Sequence, residues 1–266
     1  MRCRLGGRRL LHAFAALVAC LMGMPAHAAA QPPEQPNAAA APRSGTRDFL
    51  FGQPRGWVTM RGSWLTPRAE SDLFTFVTDQ LTVEKADFSA PGVAVEFGLA
   101  LTSRVSAGAG MEFNWRTISS EYRRYIDNHG LPINQQTALT QANLTGSVRV
   151  ALREPGRSIS SLAFVPHAFV PYAGAGAGLL HYDLEQHGDF VDFVTLRVFP
   201  DTFRSAGWTP SVHAFGGADV RLWRMLFLEV EARYVWADGA LDSDFVGFDP
   251  VDLSGFKFSS GVGVTF

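Results

Sequence analysis

The sequence predicts an all-β protein, a closed eight-stranded antiparallel transmembrane β-barrel. Three observations lead there. Eight segments alternate with period two between an apolar row and a row of small or polar residues. The links between them alternate short and long. Turning the apolar rows inward would crowd large side chains into a narrow lumen and leave glycine-rich faces to water, so the apolar rows face lipid instead.

The first segment is not part of the barrel. Arg2, Arg4, Arg8 and Arg9 precede an apolar stretch from Leu10 to Met24 that is broken only by His12, and Pro25-Ala26-His27-Ala28 follows. A basic, apolar, then small-residue order reads as a signal peptide over 1–28, too short for a spanning helix. Leu17-Val18-Ala19-Cys20 also has the form of a lipobox, which leaves a lipidated Cys20 as the alternative. Cys3 and Cys20 are the two cysteines, so cleavage after Ala28 leaves no thiol for a disulfide, a metal site or a nucleophile. It also takes four of the 23 basic residues and none of the 25 acidic ones, for a net charge of −6, which gives no basic footprint for nucleic acid. Residues 29–54, rich in Pro and Ala, read as a periplasmic linker.

The barrel is assigned to 55–266, with strands near 55–66, 91–102, 104–117, 138–152, 168–183, 207–222, 225–237 and 254–266. Each is long enough to cross a bilayer at a tilt. Tight turns fall at Thr102-Ser103-Arg104 and Leu222-Trp223-Arg224, and a medium link starts at Arg153-Glu154-Pro155-Gly156. The links 67–90, 118–137, 184–206 and 238–253 are long. Short turns on one side and long loops on the other are the pattern of an outer-membrane barrel with both termini in the periplasm.

The faces follow strand by strand. Val93, Val95, Phe97, Leu99 and Leu101 oppose Ala94, Glu96, Gly98, Ala100 and Thr102. Val105 to Trp115 and Leu226 to Trp236 repeat the alternation. In the last strand Phe256, Phe258, Val262, Val264 and Phe266 share the lipid side, and Lys257 the other. For 168–183 the choice between Tyr172, Gly174, Gly176, Gly178 and Leu180 and the intervening Ala173, Ala175, Ala177 and Leu179 stays open. Trp57, Trp64, Trp115, Tyr182, Trp208, Trp223, Tyr234, Trp236 and Phe266 suit interfacial girdles.

The inward row then holds Arg61, Glu96, Glu112, Arg116, Arg149, Asp219, Arg221, Glu229, Glu231, Arg233 and Lys257. An eight-stranded lumen is just wide enough for side chains, so these charges persist only when paired. The expectation is an ion-pair network that plugs the lumen.

Pro171-Tyr172-Ala173-Gly174-Ala175-Gly176-Ala177-Gly178, Gly216-Gly217-Ala218-Asp219-Val220-Arg221 and the Phe-terminated strand Gly261–Phe266 make residues 55–266 resemble the small outer-membrane β-barrels, OmpA-like and OmpW-like. The resemblance implies that the last strand, with Phe256, Phe258, Val262, Val264 and Phe266, is read by the outer-membrane insertion machinery. It also implies passage through periplasmic chaperones, outer-membrane lipid and lipopolysaccharide as surroundings, and no cofactor.

Chemistry is sparse. Gly174, Gly176 and Gly178 lack the spacing of a nucleotide loop. Asp238, Asp242, Asp244, Asp249 and Asp252 lack the order of a calcium loop, so no metal is expected. Ser211 and His213 share a face, with Asp219 or a neighbouring Glu available to complete a catalytic set, but the triplet does not match the motif of the barrel lipid A deacylases or phospholipases and catalysis is not expected. Loop 184–206 is unusually apolar, through Phe190, Val191, Phe193, Val194, Leu196, Val198, Phe199 and Phe203. It is read as an extension of the hairpin above the membrane, or as a surface for an extracellular ligand together with loop 238–253. The functional expectation is a non-enzymatic barrel serving envelope integrity or surface interaction. The alternatives are a narrow channel for small hydrophobic solutes and a lipid-modifying enzyme.

Overall fold

The computed structural model describes residues 50–127, 129–160 and 163–266. The leader, Cys20 and linker residues 29–49 lie outside them. Eight strands close into one antiparallel meander: β1 Gly56–Pro67, β2 Ala90–Ala100, β3 Val105–Ile126, β4 Pro132–Ala151, β5 Phe169–Val191, β6 Val198–Arg221, β7 Leu226–Trp236 and β8 Gly255–Thr265. Each strand pairs with its sequence neighbour, and β8 closes the ring on β1 from Trp57↔Thr265 to Pro67↔Gly255. Among the described residues no helix is long and apolar enough to cross a membrane.

The outward rows match the predicted lipid faces. Val95, Phe97, Met111, Leu228, Phe258 and Val262 point out, while Glu96, Glu112, Glu229 and Lys257 are buried. The open choice in β5 resolves with the glycines inward and Ala173, Ala175 and Ala177 outward. A Cβ on Gly176 would stand 2.2 Å from the Gly146 carbonyl and 2.6 Å from the His213 ring, so only glycine admits that approach. From Phe256 to Phe266 the apolar row runs ten residue steps, about 33 Å along the strand and about 25 Å along the membrane normal at a tilt of roughly 40°. That equals the band a bilayer requires.

Two of the expected girdle aromatics are elsewhere. Trp57 points into the lumen, where its ring lies against Gly98 and beneath Arg149, and Tyr182 is buried in an apolar core. Both share parity with inward residues, Trp57 with Arg61 and Tyr182 with Leu180. Trp64, Trp115, Trp208 and Trp236 do ring the outer surface at the long-loop end.

The largest departure from the predicted elements is length. β3 to β6 have 20 to 24 residues, against 11 or 12 for the other four. The expected loop 118–137 is therefore mostly paired strand, through Ser119↔Gln136, and 184–206 is the hairpin extension that its apolar residues suggested, paired as far as Val191↔Val198. Polarity inverts at the Trp girdle. On β3 the outward row changes from Met111, Phe113 and Trp115 to Thr117, Ser119, Glu121 and Arg123, while the inward row changes from Glu112 and Asn114 to Ile118 and Tyr122. On β5 Leu180, Tyr182 and Leu184 turn inward against Asp183 and Glu185 outside. The protein is apolar-out in lipid and apolar-in beyond it, each half obeying the solvent it meets.

This four-stranded extension has two free edges, and the remaining long loops cover them. Residues 67–90 contain a helix absent from the predicted elements, α1 Asp72–Gln80, which buries Leu73, Phe74 and Val77 on one face. That spacing is helical, and Asp72 complements the dipole at its start. Beyond α1, Leu81 bridges Tyr122, Thr82 N donates to the Glu121 carbonyl, and Arg123 donates to the carbonyls of Thr78 and Val83. On the other edge, Asp242 and Asp244 accept from the amides of Ala206 and Arg204 at 3.0 and 3.1 Å. These aspartates cap β6 where a partner strand is missing. Asp72 in turn accepts from Asp249 N, which ties the two covering loops together.

At the opposite end the turns are short. The Thr102 hydroxyl accepts from the amides of Arg104 and Val105. The β4–β5 link forms a small hairpin of 156–160 with 163–166, and Leu50 pairs with Phe164 through both amides. The last stretch assigned to the linker is thus fixed onto that turn.

Candidate functional site: a cross-braced lumen

Every strand contributes to one polar column inside the barrel. Nearest the chain termini, Arg149 of β4 pairs with Asp219 of β6 and, at 3.2 Å, with Glu229 of β7. Its guanidinium carbon lies 3.5 Å from the centre of the Tyr172 ring. The next layer centres on Arg61 of β1, which reaches Glu96 at 2.7 Å, Glu231 at 3.1 Å and Glu229 at 3.5 Å. Arg233 adds contacts to Glu231 at 2.8 Å and Glu96 at 3.3 Å. Further along, Lys257 of β8 meets Glu112 of β3 at 3.1 Å.

Several pairs join strands that are not neighbours. Arg233 on β7 reaches β2, Arg149 on β4 reaches β7, and Lys257 on β8 reaches β3. These are chords across the lumen and brace it from within. A buried ion is expensive unless it is both paired and hydrogen-bonded, and neutral donors supply part of that here, although Glu229 Oε2 and Asp219 Oδ1 have no hydrogen-bond partner among the described residues. The Tyr172 hydroxyl donates to Glu229 at 2.7 Å and Glu231 at 3.1 Å. Ser147 donates to Glu96, Ser63 to Glu112, and Lys257 also donates to the Asn114 amide oxygen.

The predicted inward residues divide. Arg61, Glu96, Glu112, Arg149, Asp219, Glu229, Glu231, Arg233 and Lys257 come together in these contacts. Arg221 does not: among the described residues no carboxylate lies within ion-pair distance of it, and it bonds Thr265 Oγ1 at the mouth. Arg116 stands above the column and holds the covering loop through the Asp87 carbonyl. The paired groups are four cations and five carboxylates. Arg221, nearby at the mouth, supplies the fifth positive charge of the lumen. Sequence reasoning missed Tyr172, because the facing of β5 stayed open, and Trp57, because it was assigned to the girdle. Ser63, Asn114 and Ser147 share the parity of the charged row and were legible by that rule.

The candidate catalytic set is not assembled. Ser211 Oγ donates to the Asn143 amide oxygen at 3.1 Å, Asp219 is held by Arg149, and neither ring nitrogen of His213 has a hydrogen-bond partner among the described residues. The His213 ring instead stacks on Phe215. Three aspartates of loop 238–253 are engaged by backbone amides: Asp242 by Ala206 N, Asp244 by Arg204 N, and Asp252 by Glu70 N and Ser254 N.

Toward the long-loop end the lumen changes character. Leu139, Leu180, Tyr182 and Leu184 fill it, and Leu73, Phe74 and Val77 of α1 close over them with Phe245, Val251 and Leu253 from the last long loop. Ion pairs thus occupy the lumen toward the termini and an apolar core the long-loop end.

No protein-family model matches the chain, and no curated protein matches it either. Solved structures resemble it at low identity. OprG from Pseudomonas aeruginosa aligns with a TM-score of 0.46 at 11% identity, over 82% of this chain and 99% of that one. Neisserial surface protein A gives 0.41 at 11%, over 79% and 97%. Ail of Yersinia pestis gives 0.41 at 8%, over 80% and 99%. By its own closed strand ring and lipid-facing belt, the chain is an eight-stranded transmembrane β-barrel.

Proposed function

We propose that this is a non-enzymatic integral outer-membrane protein whose closed lumen makes it a structural and surface element of the envelope, with its termini in the periplasm and its long-loop end outside. One observation carries the reading: the lumen is cross-braced by buried charge pairs joining β1, β2, β3, β4, β6, β7 and β8 and is overlaid by an apolar core. A water-filled path would require those pairs to separate and α1 to lift. Lipopolysaccharide and outer-membrane lipid are the surroundings that the belt and the Trp girdle suit. The outer-membrane insertion machinery and periplasmic chaperones are the partners proposed for its assembly, with Phe256, Phe258, Val262, Val264 and Phe266 as the insertion signal.

The test is single-channel recording of the purified, folded protein in a planar bilayer. The expected record has no stable open steps at moderate voltage, and regular discrete openings would overturn the closed-lumen reading. The second reading, a narrow channel for small hydrophobic solutes, has in its favour an apolar cavity at the long-loop end. Leu73, Leu81 and Tyr122 of the apolar core line that cavity.

A further inference from the structure

That cavity lies above the membrane belt, between α1, the β5–β6 hairpin and the last long loop, and its volume is about 220 Å³. Its walls are aromatic edges and faces: Phe76, Phe190, Phe193, Phe199, Phe203 and Phe248. The rings contact one another, Phe190 with Phe203 at 4.5 Å and Phe76 with Phe248 at 5.5 Å. Phe76, Phe193 and Phe199 are also exposed enough to form an entrance.

The formal charge around it is of one sign. Among the described residues no lysine, arginine or histidine lines the cavity. At its rim stands the exposed carboxylate of Asp244, whose Oδ2 accepts from Arg204 N at 3.1 Å. On the floor, Gln186 donates its amide to Gln135 at 2.8 Å, and no donor reaches its own Oε1 among the described residues. Aromatic faces carry negative potential and attract cations. An anionic ligand would lose water here and meet the Asp244 carboxylate, with only the neutral Gln80, Gln135 and Gln186 amides and the Tyr122 hydroxyl against it and no cation among the lining residues.

We propose that this cavity binds a small organic ammonium ion, an aromatic or compact apolar group bearing one positive charge, with the apolar part among the phenylalanines and the charge toward Asp244. The volume suits one substituted ring, since a cavity of about 150 Å³ holds benzene. The inference stands apart from the closed-lumen reading, because a cavity above the membrane belt binds whether or not the barrel conducts.

The experiment uses the full folded protein in lipid nanodiscs, with empty nanodiscs as the blank. Three probes of similar size are titrated by ligand-observed NMR: phenethylammonium, ethylbenzene and phenylacetate. Phenethylammonium is expected to bind saturably at one site and more tightly than ethylbenzene, and phenylacetate not to bind. Asp244→Asn is expected to weaken phenethylammonium about two- to fivefold, the range of a partly exposed charge contact, and to leave ethylbenzene unchanged. Phe199→Trp, which fills the entrance, is expected to abolish binding of both while preserving the heat-modifiable folded band. Phenethylammonium signals equal to empty nanodiscs overturn the proposal. So does binding that survives Phe199→Trp, or ethylbenzene binding as tightly as the cation.

Discussion

The Lys257–Glu112 pair offers the sharpest test of how the lumen is held, because among the described residues it is a one-to-one ion pair, with Arg233 of the Arg61 cluster beside Lys257 on the next strand. Both side chains are less than 10% exposed and meet at 3.1 Å across three strand intervals. Lys257→Met strands the Glu112 carboxylate with Ser63 as its remaining close donor and removes a donor from Asn114. Breaking a buried pair on one side costs about 3–5 kcal/mol, whereas replacing both partners with apolar groups of similar volume is often neutral. Lys257→Met is therefore expected to destabilise the barrel by about 3 kcal/mol and Glu112→Leu by a similar amount. The double variant is expected to lose about 1 kcal/mol or less, a coupling of several kcal/mol in the cycle. The assay is reversible urea unfolding in lipid vesicles, followed by tryptophan fluorescence. A Lys257→Met variant within 0.5 kcal/mol of the parent, or a double variant as unstable as the sum of the singles, would refute the pairing argument.

Other outcomes follow from the same geometry. Val77→Ala in α1 removes two buried methyls beneath the lid and is expected to cost about 1–2 kcal/mol locally; limited proteolysis should open 67–90 while the folded gel band persists. Asp242→Ala with Asp244→Ala uncaps the edge of β6, so hydrogen exchange should quicken at the amides of Arg204 and Ala206 and stay unchanged in β8. Gly176→Val would drive a side chain into the Gly146 carbonyl and is expected to abolish the folded band. The Asp192 carboxylate, bonded by Thr195 Oγ1 and by the amides of Val194 and Thr195, is held below its ordinary value of about 3.8. Its contribution to the hairpin tip is present above that value and lost as pH falls through the lower, folded value. Amide shifts of residues 194 and 195 should therefore stay constant down to about pH 4 and move only below it.

Within the membrane the fold was legible because one rule governs it. Lipid demands an apolar row at every second residue, so Val93, Val95, Phe97 and Leu99 fix the facing of Glu96 without any knowledge of its partners. The charged row followed from parity, but its pairing did not: that Arg233 reaches Glu96 depends on barrel diameter and stagger, which no local pattern encodes. Above the girdle the same rule reverses. Ile118, Tyr122, Leu180 and Leu184 turn inward there, and a search for lipid-facing rows cuts β3 to β6 short. α1 escaped because nine residues inside a long link were read as loop, although Leu73, Phe74, Val77 and Leu81 are spaced as a buried helical face. β5 stayed open because alanine and glycine differ too little in bulk to mark a side; the tyrosine at 172, drawn to Glu229 and Glu231, decides it.

Orientation is the claim beneath all of these, and site-directed spin labelling in bilayers tests it directly. Labels at Val95, Phe113 and Val262 are predicted to be accessible to oxygen and shielded from a water-soluble nickel chelate. Labels at Ser119 and Glu185, beyond the girdle, are predicted to show the reverse. Chelate access at 95, 113 and 262, or oxygen-rich shielding at 119 and 185, would contradict a barrel that is apolar-out in lipid and apolar-in above it.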